Sequence, residues 1–445
     1  MTQDLAQALL DAARKAGADA ADALVIDGTA LSIGVREGRL EEAERAEGLD
    51  LGLRVLVGRR QACVSSSDAR PETLAMMAER AVAMAREAPE DPFAGLADPA
   101  QLGARRDADG LELADPSDEP DPAALQEDAR RAEAAARAVA GVSRIDQAGA
   151  SFSRRTILLA ASNGFAGSYA RTTRNTSCVA ITGEGTAMER DWAGESRIFQ
   201  ADLPDPESIG RLAGERAAAR NGSRKPPSGA FPVVFDERVS ASLIGHLTAA
   251  INGTSIARGA SWLRDALGKP VMPRGFDLVE DPLRPRLAGS RPFDAEGLAT
   301  AARPWVKDGV LQGWVLDLAT ARKLGLDSTA NAARGPGAPP SPSLSNVVLT
   351  PGTASLGELV AGMGTGLWVT SLIGSTINPT TGDYSRGASG FWVENGTVAY
   401  PVNECTIAGN LRDMLMRLTA ANDARPHLST QVPSLLVEGL TIAGA

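Results

Sequence analysis

The sequence predicts an α+β protein, with a helix-plus-antiparallel-meander N-terminal domain and a β-rich, mostly antiparallel C-terminal domain. Three observations lead there. Glycines punctuate short β-prone runs over residues 23–67 and again beyond residue 275, as in strands joined by tight turns. Helical periodicity is confined to a few separated segments. The stretch NGSRKPPSGAFP (221–232) combines Asn-Gly, Pro-Pro and Ser-Gly, which marks a boundary. It divides the chain into an N-terminal domain at 1–222 and a C-terminal one at 226–445. The 445 residues suit two or three domains at roughly 100–200 residues each.

Residues 3–16 read as an amphipathic helix, because Leu5, Leu9, Ala12, Ala13 and Ala16 recur at spacings of three and four. Gly17 is its expected stop. The meander follows, with turns expected at Asp27-Gly28, Glu37-Gly38, Glu47-Gly48 and Gly58-Arg59. A helix over 71–88 starts at Pro71, which suits a first turn. Residues 89–122 are rich in Pro, Asp and Gly and read as a long surface loop with freedom to move. A helix over 122–140 ends at Gly141. Strands over 143–199 turn at Asn163-Gly164, and a helix covers 206–220. The second half opens with the strand FPVVF and a helix capped by Asp236. FWVENGTVAYP (391–401) is a hairpin, with Asn395-Gly396 suited to a type I′ turn. ARGPGAPPSPS (333–343) is a loop.

Composition narrows the function. The net charge is −10, which argues against a broad phosphate-backbone surface. Aromatic residues are 4% of the chain, too few for a platform that stacks single-stranded bases. Forty arginines against five lysines, with abundant alanine, look like coding bias rather than a basic patch. No direct nucleic-acid partner is expected. The N-terminus lacks a basic lead-in, and Asp4, Asp11 and Arg14 interrupt its apolar run, so no signal peptide is expected. No window approaches about eighteen apolar residues, so no membrane span is expected and the cytoplasm is the expected location.

The only histidines are His246 and His427, which excludes a three-histidine metal site within one chain. Cys63, Cys178 and Cys405 are odd in number and far apart, which argues against a disulfide framework and favours buried thiols. Cys405 has no histidine near it in sequence and gains no support as a nucleophile. No phosphate-binding loop, GxSxG elbow or HExxH is present. The GMGTG run (362–366) departs from the dinucleotide fingerprint and reads as a turn.

Four strings stand apart: ASLIGHLTAAINGTS (241–255), INPTTGDYSRGASGFWVENG (377–396), YPVNECTIAGNLRDML (400–415) and PSLLVEGLTIAG (433–444). In these the chain resembles the TldD/PmbA metallopeptidase family, which also carries the label modulator of DNA gyrase, and within it the PmbA/TldE branch. The resemblance extends over nearly the whole chain. It implies a cytoplasmic zinc metallopeptidase assembly that cuts unfolded or flexible peptides. With an acidic chain, the gyrase label reads as an indirect link.

The resemblance also implies where metal sits in the active branch. There an HExxxH helix and a distant Cys hold zinc, with the Glu as general base. Laid over ASLIGH, the first histidine position is Ala241, the Glu position Ser242, and only the second histidine is kept, as His246. The Cys position falls near RPHLS (425–429), which has no cysteine but contains His427, a residual ligand at most. Loss of the base alone costs about 10²–10⁴ in rate. No catalytic residue, metal or other cofactor is therefore expected in this chain, and zinc is expected in a TldD-like partner.

The expected role is that of a TldE/PmbA-type subunit, non-catalytic alone, that pairs with a TldD-like subunit as a heterodimer and completes its chamber. A homodimer is possible when the chain is isolated. Two other readings stay open: an independent metal-dependent hydrolase with an altered site around His246, and a homodimeric peptide-binding scaffold. Asn378, Thr381, Asp383, Ser385 and Arg386 form a glycine-bounded polar run. It suits the lining of a groove for extended peptide, and equally a turn that satisfies its own backbone. Asn403 and Glu404 read as a strand end.

Overall fold

The computed structural model describes residues 2–444. Helix α1 (Thr2–Ala16) leads into the meander β1 (Ala20–Arg36), β2 (Arg39–Val57) and β3 (Arg60–Ser66), followed by α2 (Pro71–Glu87). Next come α3 (Pro122–Arg137), β4 (Val142–Ala161), β5 (Ala166–Thr182), β6 (Glu189–Arg197) and α4 (Pro206–Ala218). The six strands form one sheet in the order β3-β2-β1-β4-β5-β6, antiparallel throughout. The apolar stripes of α1 and α2 bury Leu9, Met77 and Val82 against Val25, Leu51 and Leu53 of the sheet. Alanines of α3 and α4 cover its other end with Ile145 and Cys178. The two helices touch backbone to side: a Cβ on Gly210 would lie 1.9 Å from the Ala132 carbonyl oxygen, so only glycine fits there.

Two of the four expected meander turns are absent. Glu37-Gly38 turns, with φ of 52° and 73°, and so does Gly58-Arg59. Gly28 and Gly48 instead face each other in mid-strand. A Cβ on Gly28 would meet the Arg154 carbonyl at 2.8 Å, so this glycine serves strand approach rather than chain reversal. The expected loop at 89–122 is also not free. Leu111 and Leu113 are buried with Ile198, Thr172 N–H donates to Leu113 C=O at 3.0 Å, and Gly103 N–H donates to Gly297 C=O at 2.9 Å. Its leucines make it a strap across both halves. The helices expected over 122–140 and 206–220 end two or three residues early, at Arg137 and Ala218.

The second half begins with β7 (Gly229–Phe235), α5 (Glu237–Ala250) and α6 (Gly253–Ala257). A side layer follows, made of β8 (Leu278–Glu280), β9 (Arg303–Lys307), β10 (Val310–Leu311), α7 (Leu318–Leu324), β11 (Ala332–Ala333), β12 (Ser341–Pro342), β13 (Val347–Leu349) and α8 (Leu356–Met363). The chain then lays down β14 (Gly366–Ile377), β15 (Asp383–Glu394), β16 (Thr397–Asn410), α9 (Leu411–Leu415), β17 (Leu418–Ala420), β18 (Thr430–Gln431) and β19 (Leu435–Ala443). The main sheet runs β16-β15-β14-β7-β19-β17, and a further β16–β19 pairing closes five strands into a ring. Among the named strands of the described residues, only β7–β14 and β13–β18 pair in parallel. The fold is α+β and mostly antiparallel. Asn395 and Gly396 have φ of 52° and 75°, as a type I′ hairpin requires. Gly364 of GMGTG caps the end of α8.

A buried charge cluster joins the halves and fixes α5. Arg220 donates Nε to Asp191 of β6 at 2.7 Å, and its two Nη atoms to Ser389 and Thr370 hydroxyls at 3.0 Å each. Arg238, in the first turn of α5, reaches the same Asp191 at 3.1 Å. Asp236 caps α5 by accepting from Arg238 N–H at 3.2 Å and holds Trp368 Nε1 at 3.1 Å. Among the described residues, no helix is long and apolar enough to cross a membrane.

Candidate functional site

Helix α5 carries the residues that the sequence places at the site. Its stripe of Leu243, Leu247 and Ile251 is fully buried, with Val239 packed beside it, as the fourfold spacing requires. Ala241 is half-buried and packs on the same core. Ser242 donates its hydroxyl to the Val239 carbonyl at 2.7 Å, a bond within its own helix.

His246 is half-buried at the edge of the stripe. Its ring meets Tyr384 edge to face at 5.9 Å, and its Nε2 is buried without a hydrogen-bond partner. The four-residue spacing of Val239, Leu243, Leu247 and Ile251 predicts a histidine beside that stripe that is largely buried and hydrogen-bonded. The structure differs: the exposed Gly245 beside it leaves one side open, and its neighbour across the cleft is the Tyr384 ring. Burial, and secondarily the Arg386 charge, hold the imidazole pKa below its ordinary value, which favours the neutral ring. Burial pushes the Tyr384 phenol up to about 12, against the opposing pull of Arg386.

Tyr384 and Arg386 lie two apart on β15 and so share the face turned to α5. Arg386 donates Nε to the Gly374 carbonyl of β14 at 2.7 Å. The rest of the polar run is engaged within its own turn. Asn378 Oδ1 accepts from Thr380 and Thr381 N–H at 3.0 and 3.2 Å. The Thr381 hydroxyl donates to Asp383 at 2.6 Å, and Asn410 Nδ2 donates to Asp383 at 3.1 Å. Ser385, between Tyr384 and Arg386, points to the other face of the strand. Of the five polar residues, the structure brings only Arg386 to His246. Sequence reasoning missed Tyr384, which stands within the same TGDYSRGA string.

His427 keeps different company. Its Nε2 lies 3.2 Å from Glu195, among Arg197 and Arg425. Burial, then Arg197, lowers its pKa, while Glu195 opposes them. Arg425 Nε lies 2.7 Å from Glu237, so the 425–429 stretch runs past the first turn of α5, one turn before Ala241. Asn403 donates to Glu189, and exposed Glu404 takes a left-handed φ of 49° at a bulge in β16. Cys405 donates Sγ to the Ala388 carbonyl at 3.2 Å, and burial pushes its thiol up to about 11, out of thiolate range at neutral pH.

The donors at α5 do not fit zinc. Ala241 offers a methyl group, the Ser242 hydroxyl is spent on Val239, and His246 is left as one ligand. Among the described residues, no group of three or more His, Cys, Asp or Glu side chains is arranged to hold a metal.

The backbone beside His246 is better suited to binding. Among the described residues β14 pairs with β7 at Leu367–Val369, and beyond that Ile373–Thr376 are exposed where the strand bulges, with Gly374 at φ of 68° and its carbonyl accepting from Arg386. The remaining backbone of an exposed strand end can pair with an extended peptide.

Residues 228–444 match the PmbA/TldA metallopeptidase C-terminal domain, 115–221 the central domain, and 21–85 domain 1. The chain is 36% identical to the metalloprotease PmbA of Escherichia coli, over 96% of this chain and 92% of that one. It is also 36% identical to a metalloprotease PmbA homolog of Haemophilus influenzae, over 99% and 96%. A Bacteroides thetaiotaomicron crystal structure described as a candidate modulator of DNA gyrase superposes with a TM-score of 0.90 at 29% identity, covering 100% of this chain and 99% of that one. TldE of Thermococcus kodakarensis shares the fold, with a TM-score of 0.85 at 21% identity over 99% and 100%. The chain belongs to the PmbA/TldD metallopeptidase family.

Proposed function

We propose that this chain is a TldE/PmbA-type subunit of a cytoplasmic zinc metallopeptidase complex, without a zinc centre of its own, that completes the chamber of a TldD-like partner acting on flexible peptides. One observation carries this reading. The chain carries the family's C-terminal domain, and when the zinc motif of the active branch is laid over α5 by resemblance, Ala241 and Ser242 fall at its ligand and base positions, with the Ser242 hydroxyl turned into its own helix. The chain's contribution is to hold and orient peptide. The exposed end of β14 beyond its pairing with β7 offers backbone groups whose hydrogen bonds do not depend on side-chain sequence, as flexible substrates of varied sequence require. His246, neutral and set against Tyr384, forms the wall where the active branch carries its metal.

The test is a peptidase assay on an unfolded polypeptide with this chain, a TldD-like chain, and both together. The proposal expects co-purification of the two and turnover only when the TldD-like chain is present. Metal-dependent turnover by this chain alone, free of partner by mass spectrometry, would establish the independent hydrolase instead. A stable homodimer that binds peptide and ignores the partner would establish the scaffold.

A further inference from the structure

The N-terminal sheet leaves part of one strand with a single neighbour. β2 pairs with β1 from Arg39 to Leu56, but with β3 only from Leu51 to Val57. Among the described residues no strand pairs with the other side of 39–50, an open edge about 40 Å long. β1, β4 and β5 separate β2 from β6, the strand that meets α5, so this edge lies apart from the candidate site. Residues 39–48 and Asp50 are exposed, whichever face of the strand they take. Across the ladder, Leu31, Ile33 and Val35 of β1 are buried with Leu125 and Ala129 of α3, so here the helix layer stops at β1.

The alternation of a strand sets Glu42, Glu44 and Asp50 on one face, with Ala46 and Gly48 between them. Among the described residues these three acids have no ion pair and no side-chain hydrogen bond. The other acids of the segment are engaged: Glu41 faces Arg36 at 3.1 Å, and Glu47 faces Arg45 at 2.8 Å, which also meets Glu119. By register two exposed cations share the face of the three acids. They are Arg39 at the turn and Arg155 of β4, level with Gly48 across Gly28, and neither pairs with them.

An open edge turns alternate backbone N–H and C=O groups outward, where a further strand can pair with them. A second copy of this edge suits it badly, since like charges facing each other across strands are destabilising. An extended segment with a cation at every second position matches the edge with its backbone and the acids with its side chains. We propose that residues 39–50 dock a basic extended segment of another protein, which adds as a strand along β2 and sets Lys or Arg against Glu42, Glu44 and Asp50.

The test is a titration of the full chain, at low salt, into a labelled and end-capped peptide of alternating Lys and Thr, as long as the open edge. Fluorescence anisotropy reads affinity, and hydrogen exchange by mass spectrometry reads location. The alternating peptide should bind saturably and slow amide exchange in 39–50. A peptide of the same composition, with Lys and Thr in separate blocks, should bind at least about tenfold more weakly, because it cannot set all its charges on one face. An opposite-charge pair across strands contributes up to about fivefold. The triple variant Glu42→Gln, Glu44→Gln, Asp50→Asn should therefore weaken the alternating peptide about tenfold, and its three changes are all at exposed side chains. No saturable binding, equal binding of the two peptides, undiminished binding by the triple variant, or protection confined to 373–377 would each overturn the proposal. So would protection of 39–50 that grows with chain concentration in the absence of peptide, which would make a second copy the occupant.

Discussion

Asp191→Ala is the most demanding perturbation of the scaffold behind the site. Among the described residues Asp191 is the carboxylate that Arg220 touches, at 2.7 Å, and it also faces Arg238 at 3.1 Å. The side chains of Arg220, Arg238 and Asp191 are 4%, 10% and 6% exposed, so water cannot replace what is lost. Arg238 retains Asp236 at 2.8 Å, whereas Arg220 retains only the hydroxyls of Ser389 and Thr370. Leaving that guanidinium buried without its anion should cost about 3–5 kcal/mol. Arg220→Met should cost less, because Asp191 would still face Arg238. The double variant should fall short of the summed losses by about 0.5–3 kcal/mol, since the two residues share one network. Urea unfolding followed by tryptophan fluorescence measures all three. A loss below about 1 kcal/mol for Asp191→Ala, with additive behaviour in the double variant, would refute the claim that this cluster ties α5 to the N-terminal sheet.

Three further outcomes are expected. With only two histidines, an NMR titration should resolve both, each below the ordinary value of 6.5; Arg386→Ala should raise His246, and Glu195→Gln should lower His427 further. Because folding lowers both values, the unfolded chain binds these protons more tightly. The stabilisation they confer is therefore complete above pH 6.5 and is lost as pH falls through the native values, which pH-dependent urea midpoints will report. His246→Ala should change stability by less than about 1 kcal/mol, since a ring contact is lost and an unpartnered nitrogen removed together. It should leave the assembled complex's peptidase activity within about tenfold, less than a residue supporting a metal ligand directly would cost. Leu113→Ala should cost about 2–5 kcal/mol and open the 89–122 strap to limited proteolysis.

The sequence revealed the helices because their signals are local: Pro71 and Asp236 at helix starts, and a stripe at every fourth residue in α5. It revealed Asn395-Gly396 for the same reason. Gly28 and Gly48 misled because a missing Cβ permits a tight turn and a close strand approach alike, and only the partner strand distinguishes them. The strap at 89–122 hid because its composition is that of a loop while two leucines, Leu111 and Leu113, decide its fate. Ala241, Ser242 and His246 were singled out by resemblance, and α5 carries all three. Tyr384 was not, since its meeting with His246 joins a helix and a strand separated by more than one hundred residues.

Zinc content of the purified full chain decides whether α5 holds a metal. Quantification by mass spectrometry after dialysis against trace zinc should give well below one equivalent per chain, because Ala241 and Ser242 offer no metal ligand and no general base at the positions the resemblance assigns to them. One equivalent of zinc, located at His246 by anomalous scattering, would contradict the account and make this chain a metallopeptidase in its own right.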